Sequence, residues 1–199
     1  MDRAVVFLDG GYIDKIKDYY IGREKLDYIK LSEQLCSPEC MRWRTYYYHC
    51  PPYQDDPPTQ EQRERKAGYD RYADRLGRLD RFILREGRLR LVKREPYEVE
   101  QKGVDVLLAC DLVRLSATHQ IHRAIIVGGD ADFVPAVKIA KDEGVLCVLY
   151  YKGDACSPHL RDVCDERRLI TEEMIRSSIL SRPTFPKLGD TPVSRNDSH

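Results

Sequence analysis

The stretch AVVFLDGG, residues 4–11, is an unbroken apolar run that ends in an aspartate and two glycines. Such a run is typical of a strand that is buried on both faces and then enters a loop, as strands do in parallel sheets. An apolar run that is followed by glycine and aspartate recurs in AIIVGGD, residues 124–130, and in VLCVLYYKGD, residues 145–154. Because ligands bind at the carboxyl ends of strands in such sheets, we expect the three aspartate-bearing loops to share one rim.

Helical and further strand patterns lie between these runs. Residues 104–116 repeat leucine and valine at helical spacing, and another helix is expected after Asp132. Strands are predicted at residues 43–49 and, as an edge strand, at residues 88–93. Strands that alternate with helices predict an α/β domain, a mainly parallel sheet with helices on both faces.

The composition limits the domain count and the kinds of partner. The chain has 199 residues, and its 33 Lys and Arg balance 33 Asp and Glu, so the formal net charge is zero. We expect one domain over residues 1–180 and a disordered tail at residues 181–199, which contain little to bury. A neutral chain excludes recognition of nucleic acid through overall positive charge, so such a partner would have to meet a local basic patch.

The sequence also bears on cellular location and on the cysteines. It contains no apolar run long enough to cross a bilayer, and its opening residues do not match a signal peptide. We therefore expect a soluble, cytoplasmic protein without a membrane partner. Seven cysteines are an odd number, which favours free thiols over a disulfide framework, and Cys110, Cys147 and Cys164 are expected in the core.

A basic region precedes the central helix. Residues 60–84 are predicted to form one long charged helix, and residues 61–95 contain 12 Lys and Arg against 7 Asp and Glu. Tyr69 and Tyr72 lie on its apolar stripe and would either stack on bases or pack on the sheet. The cations of this basic segment, residues 60–85, and one beyond it are candidate contacts to nucleic-acid phosphates: Arg63, Lys66, Arg71 and Lys102.

Four aspartates form the strongest candidate site. Asp9, Asp130 and Asp132 follow predicted strands, and Asp105 lies in the first turn of the helix at residues 104–116. Carboxylates at one rim raise each other's pKa unless a cation compensates, so their convergence predicts a divalent metal, and oxygen ligands favour Mg²⁺ or Mn²⁺. The alternative for each single aspartate is a turn former or a helix cap.

Glycines and one further aspartate accompany this cluster. The glycines beside Asp9 and Asp130 remove side chains at places where a phosphate backbone would approach. Asp111 falls within the apolar stripe of its helix and needs a partner there. It either supports the acidic site from outside the set of ligands, which we favour, or accepts hydrogen bonds from a buried arginine or backbone group.

Three motifs in order resemble the LabA-like NYN branch of the PIN-like nuclease superfamily. They are FLDGGY at residues 7–12, KGVDV at residues 102–106 followed by Asp111, and GGDADF at residues 128–133. The resemblance implies a three-layer α/β/α sandwich with a mainly parallel central sheet, and acids that bind Mg²⁺ or Mn²⁺ to hydrolyse RNA. It assigns catalysis and metal binding to Asp9, Asp105, Asp130 and Asp132. Substrate contacts are expected from Gly10, Gly11, Tyr12 and Gly129 together with the four cations above.

The sequence therefore predicts a metal-dependent ribonuclease, a hydrolase that cuts within RNA. An RNA-binding or regulatory module with the same fold and little turnover is the alternative, and a homodimer is left open. Cys36, Cys40, His49 and Cys50 could bind zinc, but their spacing is unusual, and free thiols near the core are favoured. The motif of a Rossmann dehydrogenase is absent after the first predicted strand.

Overall fold

The structure is a computed structural model that describes residues 2–93 and 98–180. Its strands are β1 (Arg3–Asp9), β2 (Met41–His49), β3 (Phe82–Glu86), β4 (Arg88–Lys93), β5 (Glu98–Lys102), β6 (Arg123–Val127), β7 (Leu146–Tyr151) and β8 (Glu166–Leu169). Its α-helices are α1 (Gly10–Ile21), α2 (Tyr28–Cys36), α3 (Gln60–Gly77), α4 (Val104–Ala117), α5 (Val134–Asp142), α6 (Pro158–Val163) and α7 (Glu172–Ser177), and Ala131–Phe133 form a 3₁₀ turn before α5.

The described residues form a six-stranded sheet in the order β3-β2-β1-β6-β7-β8. Every neighbouring pair is parallel, with Phe7 of β1 paired to Tyr46 of β2 and to Ile126 of β6. The carboxyl ends of β1, β6 and β7 therefore lie side by side, as the repeated strand pattern predicts.

Two apolar layers cover the sheet, one on each face. Ala4, Val6 and Leu8 of β1 pack toward α1 and α2, whereas Val5 and Phe7 pack toward α4 and α5. All five side chains are fully buried, which explains why β1 is a continuous apolar run instead of an alternating one. The three-layer α/β/α fold predicted from the sequence is confirmed.

The predicted helix at residues 60–84 is too long. Helix α3 ends at Gly77, and the apolar residues Phe82, Ile83 and Leu84 belong to β3, which pairs with β2. Arg81 has a φ of 56°, so the backbone reverses in the left-handed region just before the new strand. Leu76, Leu79 and Ile83 recur at helical spacing, so the sequence pattern did not indicate the change from α3 to β3.

The segment at residues 88–93 is a strand, but it is not an edge of the main sheet. It pairs with β5 in a separate two-stranded antiparallel sheet, and β3 and β8 form the two edges of the main sheet. The Gly87 N–H donates to the His49 carbonyl at 2.9 Å, which extends the β2 pairing by one residue before the chain leaves the sheet.

The expected tail at residues 181–199 lies outside the described residues. Among the residues that the structure does describe, no helix is both long enough and apolar enough to span a membrane.

Candidate functional site

A cleft with a volume of about 780 Å³ opens at the carboxyl ends of the central strands. Asp9 at the end of β1, Asp130 after β6 and Asp105 in the first turn of α4 line it. The other lining residues are Gly11, Tyr12, Asp14, Lys15, His49, Gly129, Ala131, Ala155 and Ser157. Three of the four predicted acids thus face one space, although up to 121 positions separate them in the sequence.

Asp9 occupies the most buried position among these acids. Its Oδ1 accepts a hydrogen bond from the Tyr12 N–H at 3.1 Å and so caps α1. The pKa of Asp9 is raised to about 6, mainly by burial. The nearby carboxylates of Asp105 and Asp130 contribute to this rise, and hydrogen bonds from the Tyr12 and Gly11 N–H groups oppose it. A carboxylate in this state gains stability from a nearby cation.

Asp105 and Asp130 extend the negative charge across the cleft. Burial raises the pKa of Asp105, and the charges of Asp130 and Asp132 raise it as well. Asp130 accepts a hydrogen bond from the Asp132 N–H at 3.0 Å, which caps the 3₁₀ turn. Asp132 is exposed and lies outside the residues that line the cleft, although its charge acts on Asp105.

Asp9 and Asp130 each cap a helical segment and also line the cleft. Each aspartate uses Oδ1 for a backbone N–H, and an ionised carboxylate offers about four lone-pair sites on two oxygens. The helix-cap alternative considered from the sequence is therefore correct for both residues without removing them from the cleft.

The donor chemistry of the cleft suits a hydrated hard cation. In the described part of the chain, no three His, Cys, Asp or Glu side chains lie close enough together to form a metal-holding group. Magnesium, however, keeps several waters and commonly uses only one or two protein carboxylates. The facing carboxylates and the raised pKa of Asp9 and Asp105 fit Mg²⁺ or Mn²⁺ bound partly through water.

The glycines of the rim allow neighbouring segments of the protein to pack closely against each other. A Cβ on Gly129 would lie 2.5 Å from the Ala155 carbonyl oxygen and 2.6 Å from the Tyr12 ring. A Cβ on Gly10 would lie 2.4 Å from the Tyr48 carbonyl oxygen, and Gly10 is buried. Of the residues expected to contact the substrate, Gly11, Tyr12 and Gly129 line the cleft, whereas the buried Gly10 does not.

Sequence reasoning missed Asp14 and assigned His49 to a different role. The His49 Nε2 lies 3.0 Å from the Asp14 Oδ2, and the His49 Nδ1 lies 2.8 Å from the Cys50 carbonyl oxygen. The imidazole is stacked between Tyr47 and Tyr69, at centroid distances of 5.6 and 5.8 Å. The position of His49 at the end of a strand beside β1 was the signal that could have placed it at the rim.

The possible zinc ligands do not come together. Cys36 and Cys40 pack in the layer beneath α1 and α2, whereas Cys50 packs in the opposite layer. His49 is already engaged with Asp14. All seven cysteines are free; six are buried, and Cys110 is exposed, contrary to its predicted core position.

Asp111 accepts hydrogen bonds from arginines, which is the less favoured of the two roles considered from the sequence. Its carboxylate accepts hydrogen bonds from Arg85 at 2.9 Å, from Arg114 at 3.0 Å and from the Tyr48 hydroxyl at 3.2 Å. Burial acts to raise the pKa of Asp111, but the hydrogen bonds and charges of Arg85 and Arg114 lower it overall. Asp111 is thus the anion of an arginine pair, so its described contacts do not support the predicted role next to the acidic site.

The predicted phosphate contacts lie outside the cleft. Arg63 donates to the Pro58 carbonyl, Lys66 pairs with Asp70, and Arg71 is exposed on α3. Lys102 is exposed at the end of β5, two residues before α4 begins. Tyr69 and Tyr72 pack toward the sheet: the Tyr69 ring stacks on His49, and Tyr72 packs against the apolar layer beneath α1 and α2.

The chain is similar to a known protein family, to a curated protein and to a solved structure. The family model described as the NYN domain matches residues 3–171. The "Uncharacterized protein y4oD" of Sinorhizobium fredii (strain NBRC 101917 / NGR234) is 28% identical over 101 residues, which span 47% of each chain, about half of that relative's length. The crystal structure of VPA0982 from Vibrio parahaemolyticus, a protein of unknown function, matches with a TM-score of 0.55 and 17% identity over 85% of this chain and 93% of that one, and it supports the fold alone.

Proposed function

The chain belongs to the NYN domain family, within the PIN-like nuclease superfamily, and from this we propose that it is a metal-dependent ribonuclease that cuts within RNA chains. The observation that carries the proposal is the convergence of Asp9, Asp105 and Asp130 on one cleft, where burial and mutual repulsion raise the pKa of two of them. The order of the three sequence motifs supports a place in the LabA-like branch.

We assign the metal to the acids of the rim. Asp9, Asp105 and Asp130 would hold Mg²⁺ or Mn²⁺, directly or through water, and Asp132 would add charge from the edge of the cleft. When bound, such ions neutralise charge on a phosphodiester and lower the pKa of a coordinated water.

The chain's own residues position these acids and the RNA backbone. The Tyr12 and Gly11 N–H groups keep Asp9 oriented at the start of α1. The Tyr12 hydroxyl accepts a hydrogen bond from the Lys152 N–H at 2.9 Å, which ties α1 to the end of β7 across the cleft. Gly11 and Gly129 leave room for a phosphate beside the carboxylates, and Lys15 supplies a cation at the same opening. Arg63, Lys66, Arg71 and Lys102 would bind RNA more remotely.

The second candidate is an RNA-binding module with little or no turnover. One observation favours it: within the described ranges, no three potential ligands lie close enough to hold one ion. Both candidates share the fold and the cleft, so a direct assay must separate them.

The test is cleavage of end-labelled single-stranded and structured RNA with Mg²⁺, with Mn²⁺ or with EDTA. We expect internal fragments that require a metal and that disappear in Asp9→Asn and Asp130→Asn. Tight RNA binding by the parent protein with no cleavage under any metal condition would select the binding module instead.

A further inference from the structure

A second cavity, with a volume of about 820 Å³, lies between α1, residues 23–29 and the C-terminal half of α3. We call it the tyrosine pocket, because Tyr28, Tyr47 and Tyr72 line it together with Leu26, Ile29, Leu76 and Leu79. Its volume is in the range of small-molecule binding sites. The expected function in the acidic cleft does not use it.

The tyrosine pocket adjoins the acidic cleft. Asp14 and His49 line both cavities, and their 3.0 Å contact forms part of the wall between them. A polymer with one phosphate in the acidic cleft can therefore place a neighbouring unit in the tyrosine pocket.

Positive charges outnumber negative ones among the side chains that line the tyrosine pocket. Five cations line it, against three acids, Asp14, Glu24 and Asp27; the cations are Lys17, Arg23, Lys25, Arg75 and Arg78. An apolar lining with an excess of cations matches a ligand that has a flat apolar part and an anionic part. A nucleotide has this chemistry, and base-to-aromatic stacking with backbone cations is the general mode of single-strand binding.

The interior also offers polar groups of the kind that a base can use. The Tyr72 hydroxyl donates to the Tyr28 hydroxyl at 3.0 Å, and the Tyr28 hydroxyl donates to the Tyr47 hydroxyl at 3.3 Å. Each hydroxyl has one proton and two acceptor lone pairs, so the three linked hydroxyls can form further hydrogen bonds beyond the two between them. Tyr72 is half-buried and presents part of its ring to the cavity.

We propose that the tyrosine pocket binds the base of one unpaired nucleotide of the RNA strand whose phosphate lies in the acidic cleft. This inference rests on the proposed function, because it takes RNA as the substrate of that cleft. A base held in a duplex cannot enter such a pocket without leaving its stack. The substrate class is therefore RNA that is unpaired next to the scissile bond.

The experiment is photo-crosslinking of a single-stranded RNA that contains 4-thiouridine, in EDTA so that binding is separated from cleavage. Leu79→Trp fills the entrance of the pocket from a surface position, and Ile139→Trp, on the exposed side of α5, is the matched control. Arg75→Glu, with Lys138→Glu as control, tests the same entrance through charge. Kd is measured alongside by fluorescence anisotropy, and cleavage of the same RNA is measured with Mn²⁺.

We expect adducts on the peptides that contain Tyr28 or Tyr72, and their loss in Leu79→Trp with a Kd at least about fivefold weaker. Arg75→Glu should weaken Kd similarly, and both control variants should match the parent protein. If Leu79→Trp fails to fold, the Kd of Arg75→Glu for RNA tests the pocket instead.

The outcomes separate the two proposals. Adducts confined to other peptides, with Kd unchanged in Leu79→Trp and Arg75→Glu, overturn the tyrosine pocket even if the parent protein cleaves RNA. Adducts in the pocket without cleavage support the pocket and overturn the nuclease. No RNA binding overturns both.

Discussion

The Asp14 Oδ2 lies 3.0 Å from the His49 Nε2, at the wall between the acidic cleft and the tyrosine pocket. The other ring nitrogen, Nδ1, lies 2.8 Å from the Cys50 carbonyl oxygen. Both ring nitrogens of His49 are therefore engaged within the protein, which fixes the orientation of the imidazole. The pair places this ring beside the acidic cleft, where an RNA phosphate would pass.

Replacing His49 by phenylalanine should weaken RNA binding and lower stability moderately. His49→Phe keeps a ring between Tyr47 and Tyr69 but leaves Asp14 without its hydrogen bond. We expect a loss of about 1–2 kcal/mol in the free energy of unfolding and a Kd for RNA several-fold weaker. Chemical denaturation and anisotropy measure both, and His159→Phe, at an exposed position on α6, is the control. Unchanged RNA affinity in His49→Phe would remove His49 from the binding surface.

Removing the charge of Asp9 should stabilise the metal-free protein. The pKa of Asp9 is raised from 3.8 to about 6 in the folded state, so the folded state binds this proton more tightly than the unfolded chain does. The stability from this group is complete below about pH 4 and is lost as the pH rises toward 6, a difference of about 3 kcal/mol. Asparagine still caps α1 and carries no charge.

We therefore expect Asp9→Asn in EDTA to exceed the parent protein in free energy of unfolding at pH 8 and to match it near pH 4. Urea denaturation across this range measures the difference, with the exposed Asp142→Asn as control. Equal stability of Asp9→Asn and parent at every pH would show that the Asp9 carboxylate carries no electrostatic cost.

Asp111 should act on stability more than on chemistry. Asp111→Asn removes the anion between Arg85 and Arg114, and both arginines are partly exposed, so the cost is moderate, about 1–3 kcal/mol. Because the two arginines lower the pKa of Asp111, its contribution is present above about pH 4 and is lost as the pH falls further. Calorimetry and cleavage assays should find reduced Tm with most activity retained. If Asp111→Asn is as stable as the parent protein but cannot cleave RNA, Asp111 supports the acidic site as the sequence predicted.

Some features could be predicted from the sequence because they depend on repeated local patterns. Apolar strands that run into glycine and aspartate predicted both the parallel sheet and the convergence of Asp9 and Asp130, since parallel strand ends meet at one edge. The end of α3 could not be predicted, because Leu79 and Ile83 continue the helical spacing and β3 is only five residues long.

Other features depend on contacts between distant segments. The Asp14–His49 pair joins positions 35 residues apart, and the tyrosine pocket joins α1, α2 and α3. One partner of Asp111, Arg85, comes from β3, an element that the sequence pattern did not reveal. A buried carboxylate predicts that a partner exists, but only the fold identifies Arg85.

Adding a methyl group at Gly129 should disrupt the rim. In Gly129→Ala the new Cβ would lie 2.5 Å from the Ala155 carbonyl oxygen, so the loop after β7 or the Tyr12 ring must shift. We expect a loss of about 1–3 kcal/mol in stability and a clear loss of cleavage. Gly77→Ala is the control, since a Cβ there meets nothing within 4 Å and alanine favours a helix. Normal stability and cleavage in Gly129→Ala would show that the rim tolerates this change.

The decisive measurement is the single-turnover rate of RNA cleavage in Mg²⁺ for the parent protein, Asp105→Asn and Asp154→Asn. Asp105 lines the cleft, whereas Asp154 is an exposed aspartate of the neighbouring β7–α6 loop outside the lining residues. We predict a rate at least about a hundredfold lower for Asp105→Asn and a rate within about twofold of the parent protein for Asp154→Asn. Cleavage by Asp105→Asn at the parent rate would contradict the assignment of the acidic cleft as a metal-dependent nuclease site.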